Sequence, residues 1–287
     1  MKNVNNQTTG AMSLMLAAAV LAGATSPARA QDATIPPPTI TPETTPMTAP
    51  DADSDEAPWQ FGVTIPLWAP QIVGNVTVAG RTEDVNISFN TLRQHLDASF
   101  SLALNAQKGK FGVYGDIGYM KFSASGSGPE GGFASGDLKF VIADAGVSYV
   151  LVKTGEKYPF VLAGTAGLRY WYAATSATFT DAFGNVLFSG GKTYDLVQPV
   201  IGLRASEYFT PKFHLDLAGD IGGFDVNHST DWTWSAGGML TYDFAKWFSL
   251  SAGYKALALR ELEGGGGSQN GLSLIFNGVA IAATFKF

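Results

Sequence analysis

From residue 59 to the C-terminus the chain is written in period-two alternation, and that pattern constrains it more than any other feature. Val279, Ile281, Ala283, Phe285 and Phe287 share one face, and Gly278, Ala280, Ala282, Thr284 and Lys286 share the other. Phe213, Leu215, Leu217 and Ile221 separate in the same way from His214, Asp216, Ala218 and Asp220. Phe111, Val113, Ile117 and Tyr119 separate from Tyr114, Asp116 and Met120. Alternation of this kind is the mark of a strand with two different faces. After the first thirty residues no run of 18 apolar residues occurs, which excludes a membrane-spanning helix.

Ten strands are expected, near 59–70, 95–107, 111–123, 138–152, 159–176, 194–209, 212–225, 232–244, 247–260 and 272–287. Each is long enough to cross a bilayer core, which takes about 9–11 tilted residues. Their connections alternate long and short: 71–94 is long, Lys108-Gly109-Lys110 short, 124–137 long, Lys153-Thr154-Gly155 short. The series continues with 177–193, Thr210-Pro211, 226–231, Ala245-Lys246 and the Gly-rich 261–271. Short turns at one end and longer loops at the other suit a closed antiparallel transmembrane β-barrel. The fold class expected is therefore all-β, a barrel of about ten strands, with eight or twelve as open alternatives. Pro66 and Pro199 interrupt strands, and proline in a sheet belongs at edges or bulges.

Aromatic residues sort by strand end. Phe61, Phe111, Phe160, Phe209, Phe213, Phe244, Trp247, Phe248 and Phe285 lie beside the short turns. Tyr119, Tyr170, Trp171, Tyr172, Trp232, Trp234 and Tyr254 lie towards the long loops. Two girdles around an aliphatic band match the two interfaces of a membrane. The charged face carries small residues (Gly112, Gly118, Gly146, Gly167, Gly202, Gly237, Gly253) and the apolar face the bulky ones. A soluble barrel reverses that order.

The termini are of another kind. An apolar run from Ala11 to Ala24, followed by Ala28-Arg29-Ala30, reads as a signal peptide over 1–30. Residues 31–58 hold seven of the 14 prolines and six acids (Asp32, Glu43, Asp51, Asp53, Asp55, Glu56) with no Lys or Arg. Such a segment is an extended, semi-rigid linker, here a periplasmic one open to a partner. The barrel would occupy 59–287. With no cysteine, disulfide and Cys-ligated metal sites are excluded. A formal charge of −6 argues against nucleic acid. No cofactor motif occurs.

The final strand, alternating at 279, 281, 283 and 285 and ending in Phe287, resembles the closing strand of Gram-negative outer-membrane β-barrel proteins. Asp116-Ile117-Gly118-Tyr119-Met120 and Gly167-Leu168-Arg169-Tyr170-Trp171 resemble strands of small porin-like members of that class. The resemblance implies an outer-membrane location with both termini periplasmic, outer-membrane lipid as surroundings, and Phe285 and Phe287 as a signal to the assembly machinery.

Chemistry gathers on the charged face. Asp116, Asp144, Arg169, Arg204, His214, Asp216, Asp220, Lys255 and Lys286 are the lumen or pore-lining candidates. Charges pointing into a barrel either pair or line a wet channel. Arg169 and Arg204 on neighbouring strands, followed by Asp216 and Asp220, suggest an Arg–Asp ladder. Residues 74–80 and 85–89 read as short strands and 90–96 as a helical turn, either a folded outer loop or a plug. His95, His214 and His228 are the only histidines. The trio His228, Ser229 and Asp231 is too tightly spaced to converge on one site, so no catalytic residue is assigned. The expected function is a narrow porin-like channel for small solutes. A closed barrel with a structural or surface-interaction role comes next, and a lipid- or peptide-cleaving enzyme third.

Overall fold

A computed structural model describes residues 58–78, 81–127, 131–224, 230–263 and 270–287. The signal-peptide reading of 1–30, the linker reading of 31–57 and His228 with Ser229 lie outside the described residues. The described elements are β1 (Gln60–Val78), β2 (Arg81–Ile87), a short helix α1 (Phe89–Gln94), β3 (Leu96–Lys108), β4 (Phe111–Ser127), β5 (Phe133–Thr154) and β6 (Phe160–Thr180). They continue with β7 (Val186–Thr210), β8 (Phe213–Gly222), β9 (Thr230–Ala245), β10 (Phe248–Glu263) and β11 (Asn270–Lys286). Every pairing is antiparallel and between chain neighbours, except that β3 pairs with β1 past β2 and β11 returns to pair with β1 along Gly62–Thr77. Ten strands close the ring, as the alternation predicts. The eleventh, β2, folds back on the upper part of β1 (Ile72–Val78) as a hairpin inside the first long segment.

The prolines sit where strand pairing stops. In β1, Phe61 exchanges both backbone hydrogen bonds with Phe287, at 3.0 and 2.9 Å. Bonded pairs alternate in an antiparallel ladder, so odd residues of β1 bond to β11 and even residues face β3. The β1–β3 ladder ends at Thr64↔Ala103. Continuing its register would set Pro66 against Ser101 and Pro70 against Asp97. Proline has no N–H to give, so two of the next three donor positions are missing and the strands part. A similar account holds for Pro199, whose carbonyl accepts from Gly223 just beyond the end of β8. Neither proline makes a bulge.

Along β1, β4, β5, β6, β7, β10 and β11 the apolar residues change face. In β4 they are Phe111, Val113, Ile117 and Tyr119, all outward; two turns of pleat later they are Phe122 and Ala124, inward and buried, while Lys121 and Ser123 point out. Gln71, Lys121 and Asn277 mark the same level on β1, β4 and β11. Phe61 and Gln71 are ten residues apart, which at about 3.4 Å each and a tilt of about 40° is about 25 Å, the height of a membrane barrel's apolar band. Below that level the barrel is oily outside and polar inside. Above it the strands continue as a water-facing extension with an apolar core of Ile72, Phe122, Leu138, Phe140, Trp171 and Phe276 among others.

This corrects several expectations. Bulky side chains are not confined to the outer face, and Trp171 is not a girdle residue but is buried inside at 4% exposure. The 177–193 loop is likewise mostly strand, the upper ends of β6 and β7. The first long segment belongs to the apolar core. Ile87 of β2 and Leu92 of α1 are buried in it. Ser88 caps α1 by accepting from the Thr91 amide. Leu96, expected on the same side as Leu92, instead begins β3 and is exposed.

Candidate functional site

The pleat sends all nine candidate residues inward, in two polar layers beneath the apolar core. In the layer nearest the short turns His214 is fully buried. Its Nδ1 lies 3.2 Å from Asp216 and its Nε2 3.6 Å from Asp243. The Tyr208 ring packs against it at a tilt of 31°, with centroids 4.4 Å apart. Asp216 accepts from Ser206 at 2.6 Å and from Thr241 at 2.7 Å. Lys286 pairs with Asp243 at 2.6 Å. Asp216 is therefore not a rung of an arginine ladder.

Arg169 is the hub of the middle layer. Its Nε and Nη2 donate to Asp144, each at 2.8 Å. Its Nη1 and Nη2 donate to Asp220 at 2.9 and 3.0 Å, and Nη1 reaches Thr233 at 3.3 Å. Ser235 also donates to Asp220. One guanidinium thus ties β5, β6, β8 and β9 through its fixed fork of donors. Among the described residues Arg204 makes no ion pair; it lies over the Tyr114 ring, 4.2 Å from the centroid. Tyr114 reaches it from three strands away across a glycine floor. A Cβ at Gly146 would come within 2.6 Å of the Tyr114 hydroxyl, and one at Gly167 within 3.0 Å. Asp116 is buried in the same layer. Lys255 is 4% exposed, with Nζ 5.9 Å from the Trp68 ring.

These side chains fill the bore. Phe140 on β5 and Phe276 on β11 stand four strands apart around the ring, yet their rings meet edge to face at 5.5 Å. Trp171 packs on Phe276 at 6.3 Å. A void beside Arg169, Arg204 and Tyr114 and another beside Phe140, Trp171 and Phe276 each measure about 20 Å³, room for about one water.

Sequence reading missed Tyr114, Trp68, Thr233 and Asp243 as parts of these layers. Asp243 was legible, since Thr233, Ser235, Thr241 and Asp243 continue one polar face of β9. Tyr114 and Trp68 were not, because the contacts that give them roles cross the bore. His95 ends α1, with its amide donating to Leu92 and its carbonyl accepting from Ser123. Among the described residues no three His, Asp or Glu side chains are grouped to hold a metal.

No protein-family model and no curated protein matches the chain. Solved structures similar to it are outer-membrane β-barrel proteins. The outer membrane protease OmpT from Escherichia coli is 11% identical, covers 82% of this chain and 100% of its own, and gives a TM-score of 0.46. The attachment invasion locus protein Ail of Yersinia pestis, in complex with the heparin analogue sucrose octasulfate, is 13% identical over 80% of this chain and 99% of its own, with a TM-score of 0.33. An outer membrane channel from Pseudomonas putida F1 is 12% identical over 85% and 100%, with a TM-score of 0.34.

Proposed function

We propose that the protein is an outer-membrane barrel whose bore is closed in the folded state, acting as a structural or surface-interaction protein with no reaction of its own. The contact of Phe140 with Phe276 across the ring carries this reading. A barrel near eight strands is the size that side chains fill, whereas open channels come with about 16. A solute would have to displace an apolar plug and then the Arg169 network. The outer-membrane setting rests on the apolar band, the aromatic edges and the ring of ten strands. In that setting the short turns and both termini face the periplasm, and the strand extensions stand in the medium outside.

The extension offers a surface for contact. At its β6–β7 tip Phe183 is 91% exposed. Asp181 fixes the turn, accepting from the backbone N–H groups of Phe183 and Asn185, each at 2.8 Å. At the opposite end Phe285 and Phe287 close the last strand and are the proposed assembly signal, and the partner proposed for the 31–58 linker is periplasmic.

A narrow solute channel is the second reading, favoured by the charged middle layer. Planar-bilayer recording separates the two. The unmodified protein gives no unitary steps, and Phe140→Ala with Phe276→Ala produces them only once Arg169→Ala also opens the layer beneath. Discrete steps from the unmodified protein would refute the closed reading.

A further inference from the structure

We propose that the parting between β1 and β3 is a lateral binding site for an anionic single-chain amphiphile. Its acidic head reaches Lys255 through the barrel wall while its alkyl chain stays in the bilayer.

The opening is built into the sequence. Pro66 and Pro70 withhold the donors that would carry the β1–β3 ladder past Thr64↔Ala103. Above that pair β3 continues along β4 alone, up to Leu96, and the edge of β1 is next covered only by β2 at Ile72. Ser99 shows that the gap reaches the interior: the pleat points it inward, yet it is exposed. The gap lies at the height of the apolar band. Leu67 and Phe100, on its two outer lips, are 60% and 57% exposed. An open strand edge is not left facing lipid; it is tolerated where it lines a cavity or a polar site.

Behind the gap stand two donors without acceptors. Trp68 is the inward residue of β1 between the two prolines, and Lys255 Nζ lies 5.9 Å from its ring. Neither Lys255 Nζ nor Trp68 Nε1 makes a hydrogen bond, although both atoms are buried. An ammonium and an indole N–H can only donate, so the complement they lack is an acceptor, and beside a cation an anionic one forms the stronger bond. The other charges of the layer are engaged: Arg169 holds Asp144 and Asp220, and Arg204 lies over Tyr114. Asp116 shares the layer, so the head would enter a field with both signs and be selected by the two donors at its entrance. Carboxylate and phosphate esters of an alkyl chain share this chemistry. Ile65, Leu67, Phe100 and Leu104 supply the outer groove for the chain.

Binding of radiolabelled dodecanoate to the full chain, folded in phosphatidylcholine nanodiscs, tests the proposal. One saturable site per barrel is expected. Dodecyl phosphate competes for it, whereas dodecanol, acetate and inorganic phosphate at the same concentration do not. Lys255→Met and Ser99→Trp each weaken binding at least ten-fold, the first by removing the cation and the second by filling the entrance. Ser99 is exposed, so its variant tests access even if Lys255→Met does not fold, which heat-modifiable gel migration reports. Absence of saturable binding overturns the proposal. So does equal competition by dodecanol, equally tight binding of acetate or inorganic phosphate alone, or unchanged affinity in folded Ser99→Trp. A conducting barrel would refute the closed reading and leave this test intact.

Discussion

Replacing Arg169 by methionine should be among the costliest single changes in the barrel. The guanidinium is 1% exposed and satisfies Asp144, 6% exposed, and Asp220, 19% exposed. Removing one partner from a buried ion pair costs about 3–5 kcal/mol, because the other charge is left buried. Asp144 bears that cost almost whole. Asp220 bears less, since it keeps the Ser235 hydroxyl and some contact with water. A total of about 4 kcal/mol follows, a factor of about 10³ in the folding equilibrium. With a urea slope of about 3 kcal/mol per molar, the midpoint falls by about 1.3 M. The assay is a urea titration in lipid vesicles, read by the heat-modifiable migration of the folded barrel. Arg169→Met with Asp144→Asn and Asp220→Asn should recover most of the loss, because neutral amides do not need the cation. A drop of less than about 1 kcal/mol in the single variant would refute the hub. A triple variant no more stable than the single one would show that Arg169 acts through packing and not through charge.

Three further outcomes are expected. Leu92→Ala, which removes the helical side chain buried in the upper core, should cost about 3 kcal/mol by cavity formation and speed proteolysis between 81 and 95; an unchanged urea midpoint would show that α1 is not part of the core. Pro66→Val with Pro70→Val returns two donors to the edge of β1, so amide exchange at Ser99 and Ser101 should slow as the seam closes; unchanged exchange would place the cause of the parting elsewhere. At the β6–β7 tip, hydrogen bonds from the Asn185 side chain, and then from backbone N–H groups, hold the Asp181 carboxyl below its ordinary value. The ordering it gives is therefore complete above the unfolded value of about 4 and is lost as pH falls through its own lower one. Amide shifts of Phe183 and Asn185 should stay constant down to about pH 4 and move below it; constancy to pH 2 would remove Asp181 from the turn.

Much of this architecture was legible in the residues. Period-two alternation gave the ring strands, and the short turns gave their pairing, because an antiparallel neighbour needs only a tight connection. The inward face was legible too, since parity fixes which side a residue takes and charge shows which side is wet. The change of apolar face was also written there, in Phe122, Leu138, Phe140, Leu257, Leu259, Leu272 and Leu274. It escapes a reading that gives each strand one greasy side for its whole length.

What the sequence determined alone is therefore everything carried by local geometry: strand, face, turn and the two prolines that withhold donors. Only the tertiary structure decided what meets across the bore. Phe140 finds Phe276, Tyr114 finds Arg204 over a glycine floor, and Arg169 gathers one carboxylate from the adjacent β5 and another from β8, two strands away. Those contacts depend on the curvature and stagger of the closed ring, which set the distance between strands remote in sequence. A two-residue repeat fixes the side a residue takes and carries no measure of that distance.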